Sequence, residues 1–131
     1  RAALGGRVRL ERSDLRKIAL PACDAIVIID VLHYIDAAAQ EAVLAECARA
    51  LSAGGVLVLR VADARAGRRF ALTRIVDQFV ALARDRVWPR LYFRSLPEWI
   101  DLLERSGFEV RSQPASAGTP FANAMVIARR R

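Results

Sequence analysis

The side chains able to do chemistry are few in this sequence, and they fall close to one another. Its single histidine, His33, comes just after the apolar run Ala25-Ile-Val-Ile-Ile29, with Asp30 and Tyr34 as near neighbours. An unperturbed imidazole titrates near working pH, so His33 could take a proton from a hydroxyl or phenol as a general base. A lone histidine can equally be structural. Asp30 could serve a site, or cap the strand and satisfy loop amides. Arg60, Asp63 and Arg65 follow a second apolar run, and Tyr92, Phe93 and Arg94 precede a helix-start signal, so both groups could line a substrate pocket. Arg60 and Arg94 could bind a carboxylate, or a phosphate on a carrier-bound substrate, because a guanidinium offers a planar fork of donors. A solvated or ion-paired surface role is the alternative for each, and the preferred one for Arg65. Tyr34 could contact a ligand or pack on the next helix, and Asp14, after Ser13, could simply cap a turn. Cys23 and Cys47 form no CxxC pair, and one histidine leaves a zinc site short of ligands. Both thiols read as core residues, and no metal is expected.

These residues need elements to hold them. Val8-Arg9-Leu10 alternates after Gly5-Gly6 and predicts a short strand ending near Asp14. Asp24 to Asp30 is a continuous β-branched run between acids, the pattern of a parallel strand buried on both faces, with Val31 to Ile35 at its carboxyl-terminal mouth. Asp36 can cap a helix from Ala37 to Leu51, where Val43, Leu44, Cys47, Ala48 and Leu51 recur at helical spacing and Gly54-Gly55 supplies a stop. Val56 to Ala62 is a second buried strand, and strand, helix, strand in that order builds a right-handed parallel crossover. After the loop Arg65 to Arg69, the stripe Leu72, Ile75, Val76, Phe79 and Val80 predicts a helix to about Arg84, closed off by Pro89. Ser95-Leu-Pro-Glu98 has the form of a capping box, Trp99, Leu102 and Leu103 give that helix a buried face, and Gly107 ends it. Phe108 to Pro114 and Phe121 to Ala128, around Ala117-Gly-Thr119, predict a closing antiparallel hairpin in which Asn123 pairs.

At 131 residues and 54% hydrophobic, with 7 Gly and 5 Pro, the chain can bury one core as a single domain, 1–131, and has no disordered character. The net charge of +7 invites a nucleic-acid partner. Yet Lys17 is the only lysine, the arginines are scattered, and no basic stripe is interleaved with aromatics, so none is expected. The longest apolar run stops at Asp30, far short of a bilayer span, and no signal segment is recognisable. No membrane association and a cytoplasmic place are therefore expected. Arg1 is not a natural initiator, which reads as a fragment.

Three stretches together resemble the later part of class I, Rossmann-like S-adenosylmethionine-dependent methyltransferases: Cys23 to Ile35; Leu51-Ser-Ala-Gly54-Gly55-Val-Leu-Val-Leu-Arg60; and Arg94 to Trp99 continuing through Leu102 to Val110. Gly118 to Ala128 and Arg60 to Phe70 are also similar to methyltransferases of bacterial aryl-polyene pigment clusters. The resemblance implies an α/β fold, a partial Rossmann-like sheet from the family's third to seventh strands. That sheet would be mostly parallel, with a terminal antiparallel hairpin and helices on both faces. It implies S-adenosylmethionine as cofactor, with Asp14 and Leu15 at the adenine and Asp30, Val31 and Leu32 at the methionine end. Tyr34, Arg60, Asp63, Tyr92 and Arg94 would face the acceptor, a small molecule or a carrier-bound aryl or acyl group, with His33 as catalytic base. The family's glycine-rich loop between a first strand and a helix is not found, since Ser52-Ala-Gly-Gly55 lies between a helix and a strand. The cofactor site is thus expected to be incomplete and the chain inactive alone. A non-catalytic interaction module is the first alternative and a nucleic-acid-binding domain the second, although the Asn/Asp-Pro-Pro-aromatic signature does not follow Ile29. With its neighbouring strand missing, the Asp24–Asp30 strand would have a bare edge, through which a homo-oligomer could form.

Overall fold

Branched side chains pack well on a pleated surface and poorly on a helix, and the Ile-Val-Ile-Ile run accordingly forms strand β1, Cys23–Ile29. The computed structural model describes residues 8–65, 67–85, 90–115 and 122–131. Helix α1, Ala37–Ala50, starts where the Asp36 carboxylate accepts the Ala39 N–H at 2.8 Å, as its sequence predicts. Strand β2, Leu51–Ala62, follows without a break.

Gly54-Gly55 therefore does not stop the helix, which has already ended. The glycines serve an irregularity in β2, whose partners on β1 jump from Cys23↔Leu51 to Ala25↔Val56. Gly54 has φ +76°, and a Cβ on Gly55 would lie 2.9 Å from the Ser52 carbonyl oxygen and 3.1 Å from that of Asp24. Only glycine lets the chain fold back this closely.

Helix α2 spans Arg68–Asp85, helix α3 Leu96–Arg105, strand β3 Phe108–Pro114 and strand β4 Asn123–Arg130. The predicted capping box opens α3: the Glu98 carboxylate accepts from the Ser95 N–H and hydroxyl, both at 2.6 Å. The sheet order is β1-β2-β4-β3, with β1 and β2 parallel and β4 antiparallel to both β2 and β3. Three strands thus run one way and β4 alone opposes them, which is the mostly parallel sheet with a closing hairpin. The hairpin turn around Ala117-Gly-Thr119, Phe121, the Gly5-Gly6 pair and Pro89 lie outside the described residues.

Leu57, Leu59, Val126 and Phe108 share one face of the sheet with Leu44 and Cys47 of α1 and Trp99 and Leu103 of α3, all within one buried core. Helices are expected on both faces, yet α1 and α3 share one. The crossovers β1 to β2 and β2 to β3 advance in the same direction along the sheet, so right-handedness puts both helices on the same side. On the other face Val27 and Ile29 are 61% and 50% exposed. The α2 stripe is exposed as well, Phe79 by 63%.

The strand expected at Val8–Leu10 does not form; these residues are exposed and have no ladder partner. A strand without a neighbour leaves its N–H and C=O groups to water and gains nothing from pairing. Among the described residues the first regular element is a 3-10 turn, Leu15–Lys17. Among the described residues no helix is long and apolar enough to cross a membrane, and no group of His, Cys, Asp and Glu could hold a metal ion.

Candidate active site

The chain leaves the sheet at Asp30, whose φ of +52° lies in the left-handed region, where aspartate is among the few side chains tolerated. Its N–H still donates to the Arg60 carbonyl at 3.3 Å, completing the β1–β2 ladder. The register that sets Ile29 beside Arg60 also lets the Arg60 guanidinium grip the Asp30 carboxylate with two nitrogens, Nε at 3.0 Å and Nη2. That pairing raises the Arg60 pKa above its ordinary value. Both side chains are more than a third exposed, so the pair orients more than it stabilises.

Val31 begins a turn that carries Leu32 into the core at 3% exposure and His33 against it at 7%. Four rings meet there. The imidazole stacks on Phe93 with centroids 5.1 Å apart and lies 4.2 Å from the Tyr34 ring, while Phe70 meets Phe93 edge-on. His33 Nε2 is buried with no hydrogen-bond partner among the described residues, and the nearest acid oxygen is Oδ2 of Asp77, at 3.6 Å. Burial pushes the imidazole down to about 4, against a smaller upward pull from Asp30. His33 is therefore neutral at pH 7, and its contact with Asp77 is not an ion pair there. Burial, and then the charge of Asp30, raise the Asp77 pKa.

Between the strand ends and α2 lies a polar cavity of about 150 Å³, walled by Asp30, His33, Arg60, Thr73, Asp77 and Asn123. Thr73 also ties α2 to the hairpin, its hydroxyl oxygen accepting the Ala122 N–H at 3.0 Å. Ligands bind beyond the carboxyl ends of strands in open α/β sheets, and that is where this cavity opens.

The other expected residues have these places. Asp14 caps the Leu15–Lys17 turn, accepting from the Arg16 N–H at 3.0 Å and from its guanidinium, which pushes its carboxyl down to about 2. Leu15 packs on the edge of the core. Asp63 receives the N–H groups of Arg65 (3.0 Å) and Leu96 (3.1 Å), binding the loop after β2 to the start of α3. The Tyr92 N–H donates to the His33 carbonyl at 2.9 Å, and the Arg90 guanidinium lies over the Tyr92 ring. Arg94 lies over Trp99 and reaches Gln40 and Glu41 of α1. Tyr34 carries the Arg84 guanidinium over its ring at 5.4 Å.

Three residues at the site are absent from the sequence reading: Thr73, Asp77 and Gln40. Thr73 and Asp77 are one helical turn apart on the polar side of the α2 stripe, and Gln40 stands on the apolar face of α1 with Val43, Leu44 and Cys47. For Gln40 a polar residue on a buried face was the available signal; Thr73 and Asp77, off the apolar stripe, gave none.

The sequence pattern of the O-methyltransferase domain family matches residues 1–109. No curated protein matches the chain significantly. Among solved structures, it is similar to the mitomycin 7-O-methyltransferase MmcR, with a TM-score of 0.73 and 25% identity over 99% of this chain and 36% of that one. It is also similar to an O-methyltransferase family protein from Burkholderia thailandensis, with a TM-score of 0.69 and 24% identity over 98% of this chain and 37% of that one. Human N-acetylserotonin methyltransferase, solved in complex with S-adenosylmethionine, gives a TM-score of 0.66 at 20% identity, over 92% of this chain and 33% of that one. The chain thus spans about a third of the length of these structures. With the family pattern running from its start into β3, this chain belongs to the O-methyltransferase domain family.

Proposed function

We propose that the chain forms the acceptor side of an S-adenosylmethionine-dependent O-methyltransferase that acts on a small-molecule or carrier-bound hydroxyl, with His33 as general base. The observation that carries this reading is His33 in the wall of a polar cavity, with its Nε2 buried and without a hydrogen-bond partner among the described residues. When bound, S-adenosylmethionine supplies an electrophilic methyl group on a sulfonium. Asp30, Val31 and Leu32 at the strand mouth and Asp14 on the turn beside α1 fit one wall of such a cofactor. The Leu15–Lys17 turn that Asp14 caps packs beside α1. No residue of this sequence offers the glycine-rich loop that would form the other wall.

Neutral His33 can accept the acceptor's proton, and the resulting imidazolium would find the Asp77 carboxylate at 3.6 Å and Asp30 nearby. The cavity, about 150 Å³, is smaller than the ~300 Å³ usual at the low end for ligand pockets, so it receives the reacting end of an acceptor rather than its whole body. Arg60 is paired with Asp30 and Arg94 with Glu41, which favours an uncharged reacting end. The likeness to aryl-polyene enzymes extends the proposal to a bacterial source and a carrier-bound aryl or acyl acceptor, though Gly118–Phe121 lie outside the described residues. Two free thiols accord with a reducing compartment such as the cytoplasm.

The test is methyl transfer from labelled S-adenosylmethionine to a panel of phenols and carrier-bound acceptors, by the chain and by any longer protein containing it. His33→Asn is expected to lower kcat by about 10²–10⁴-fold with KM little changed. An unchanged kcat would remove His33 from the chemistry. The apolar α2 stripe and the open sheet face favour a second reading, a non-catalytic interaction module. It predicts no transfer to any acceptor by either protein.

A further inference from the structure

Gln40 is polar where α1 should be apolar, and its side chain is fully buried. Its amide uses every polar atom. Nε2 donates to the carbonyls of Leu32 (3.0 Å), Ile35 (3.2 Å) and Tyr92 (3.0 Å), two hydrogens serving three acceptors, so that at least one is shared. Oε1 accepts from Arg94 Nε at 2.8 Å. Carbonyls on one side and a guanidinium on the other allow one orientation of the amide. Leu32 and Ile35 bracket the turn that carries His33. Tyr92 and Arg94 bracket Phe93, whose ring stacks on the imidazole at an interplanar angle of 14°. The backbone bond from Tyr92 N–H to the His33 carbonyl runs beside the same junction.

We infer that Gln40 is a positioning residue for His33: it ties the turn bearing the imidazole to the segment bearing Phe93, and so keeps the imidazole covered in the cavity wall. The functional meaning of this tie rests on His33 being the base, while the tie itself can be tested without that reading. Several charged or titratable groups face the imidazole. Asp30 follows β1, Arg60 lies on β2 and Asp77 on α2. Tyr34 adjoins the ring with Arg84 of α2 above it, and Arg94 lies across a smaller crevice that His33 also lines. Replacing Gln40 by a neutral side chain removes none of these charges. What changes is the cover over the imidazole, so burial, the main cause of its lowered pKa, is what a titration would report.

His33 is the only histidine, so its imidazole can be followed without ambiguity by proton NMR as the pH of the whole chain is varied. Gln40→Met keeps the length and adds no charge. The expected result is a folded chain whose midpoint rises from about 4 toward the ordinary 6.5. Phe93→Ala should produce a similar rise, and Gln40→Met should add little to it, because both act through the same cover. A folded Gln40→Met chain with an unmoved midpoint would overturn the inference, reducing Gln40 to support for α1. Should Gln40→Met fail to fold, Arg94→Lys decides: it keeps the charge and loses the fork that holds the amide. A smaller upward shift then supports the tie, and an unmoved midpoint sinks it. Loss of the proposed chemistry would instead appear as unchanged turnover in His33→Asn, with these titrations unaffected.

Discussion

A buried imidazole ties stability to pH, and at this site the sign can be worked out. The folded pKa of His33, about 4, lies below the unfolded value of 6.5, so between these values the unfolded chain binds the extra proton. Stability is therefore greatest above 6.5 and falls as the pH drops toward 4, by about 2 kcal/mol between pH 7 and pH 5. Asp77, whose pKa is raised, works in the opposite sense at the acid end of this window. Urea unfolding at pH 7 and pH 5 should show the loss, and His33→Asn should flatten it; equal slopes in the two proteins would mean that His33 is not buried as described. His33, Asp30, Arg60 and Arg94 were legible as candidates because their types and their places after strands or before a helix are local facts. Their partners were not legible. Nothing in the sequence says that Arg60 turns to Asp30, or that Asp77 on a later helix faces His33, since both follow from strand register and helix packing.

The elements were more readable than the links between them. Asp36 before α1, the Ser95–Glu98 box before α3 and the branched run of β1 each act over a few residues, so sequence alone predicts them. The short strand expected at Val8–Leu10 does not form because strand formation depends on a neighbour, and Gly54-Gly55 admits a tight fold in β2 although a glycine pair can equally end a helix. The two glycines allow the tight fold to be tested. Gly54→Ala meets no neighbouring atom but must hold φ +76°, and is expected to lose about 1–2 kcal/mol. Gly55→Ala sets a Cβ against two backbone oxygens that cannot easily yield, and is expected to lose about 1–3 kcal/mol. Urea midpoints measure both, and a neutral Gly55→Ala would show that the Ser52–Asp24 approach is looser than described.

At the scale of the molecule, the sheet is covered on one face and open on the other, and β1 stands at its end with no strand beyond it among the described residues. Unpaired edge groups beside exposed Val27 and Ile29 offer a template for another copy, so the chain alone is expected to self-associate as its concentration rises. Sedimentation velocity should show this, and Val27→Lys, which leaves the β1–β2 ladder intact, should weaken it. A monomer at every concentration would dismiss the idea. The Gln40 tie carries one more consequence, in time rather than in space. Gln40 meets Tyr92 across 52 residues of sequence and Arg94 across 54, and Thr73 meets Ala122 across 49. Closing such loops is entropically costly, and contacts of this span are late rewards in folding. The helices and the β1–β2 crossover can form from nearby residues, whereas the cavity around His33 comes into being only once the last strand has docked.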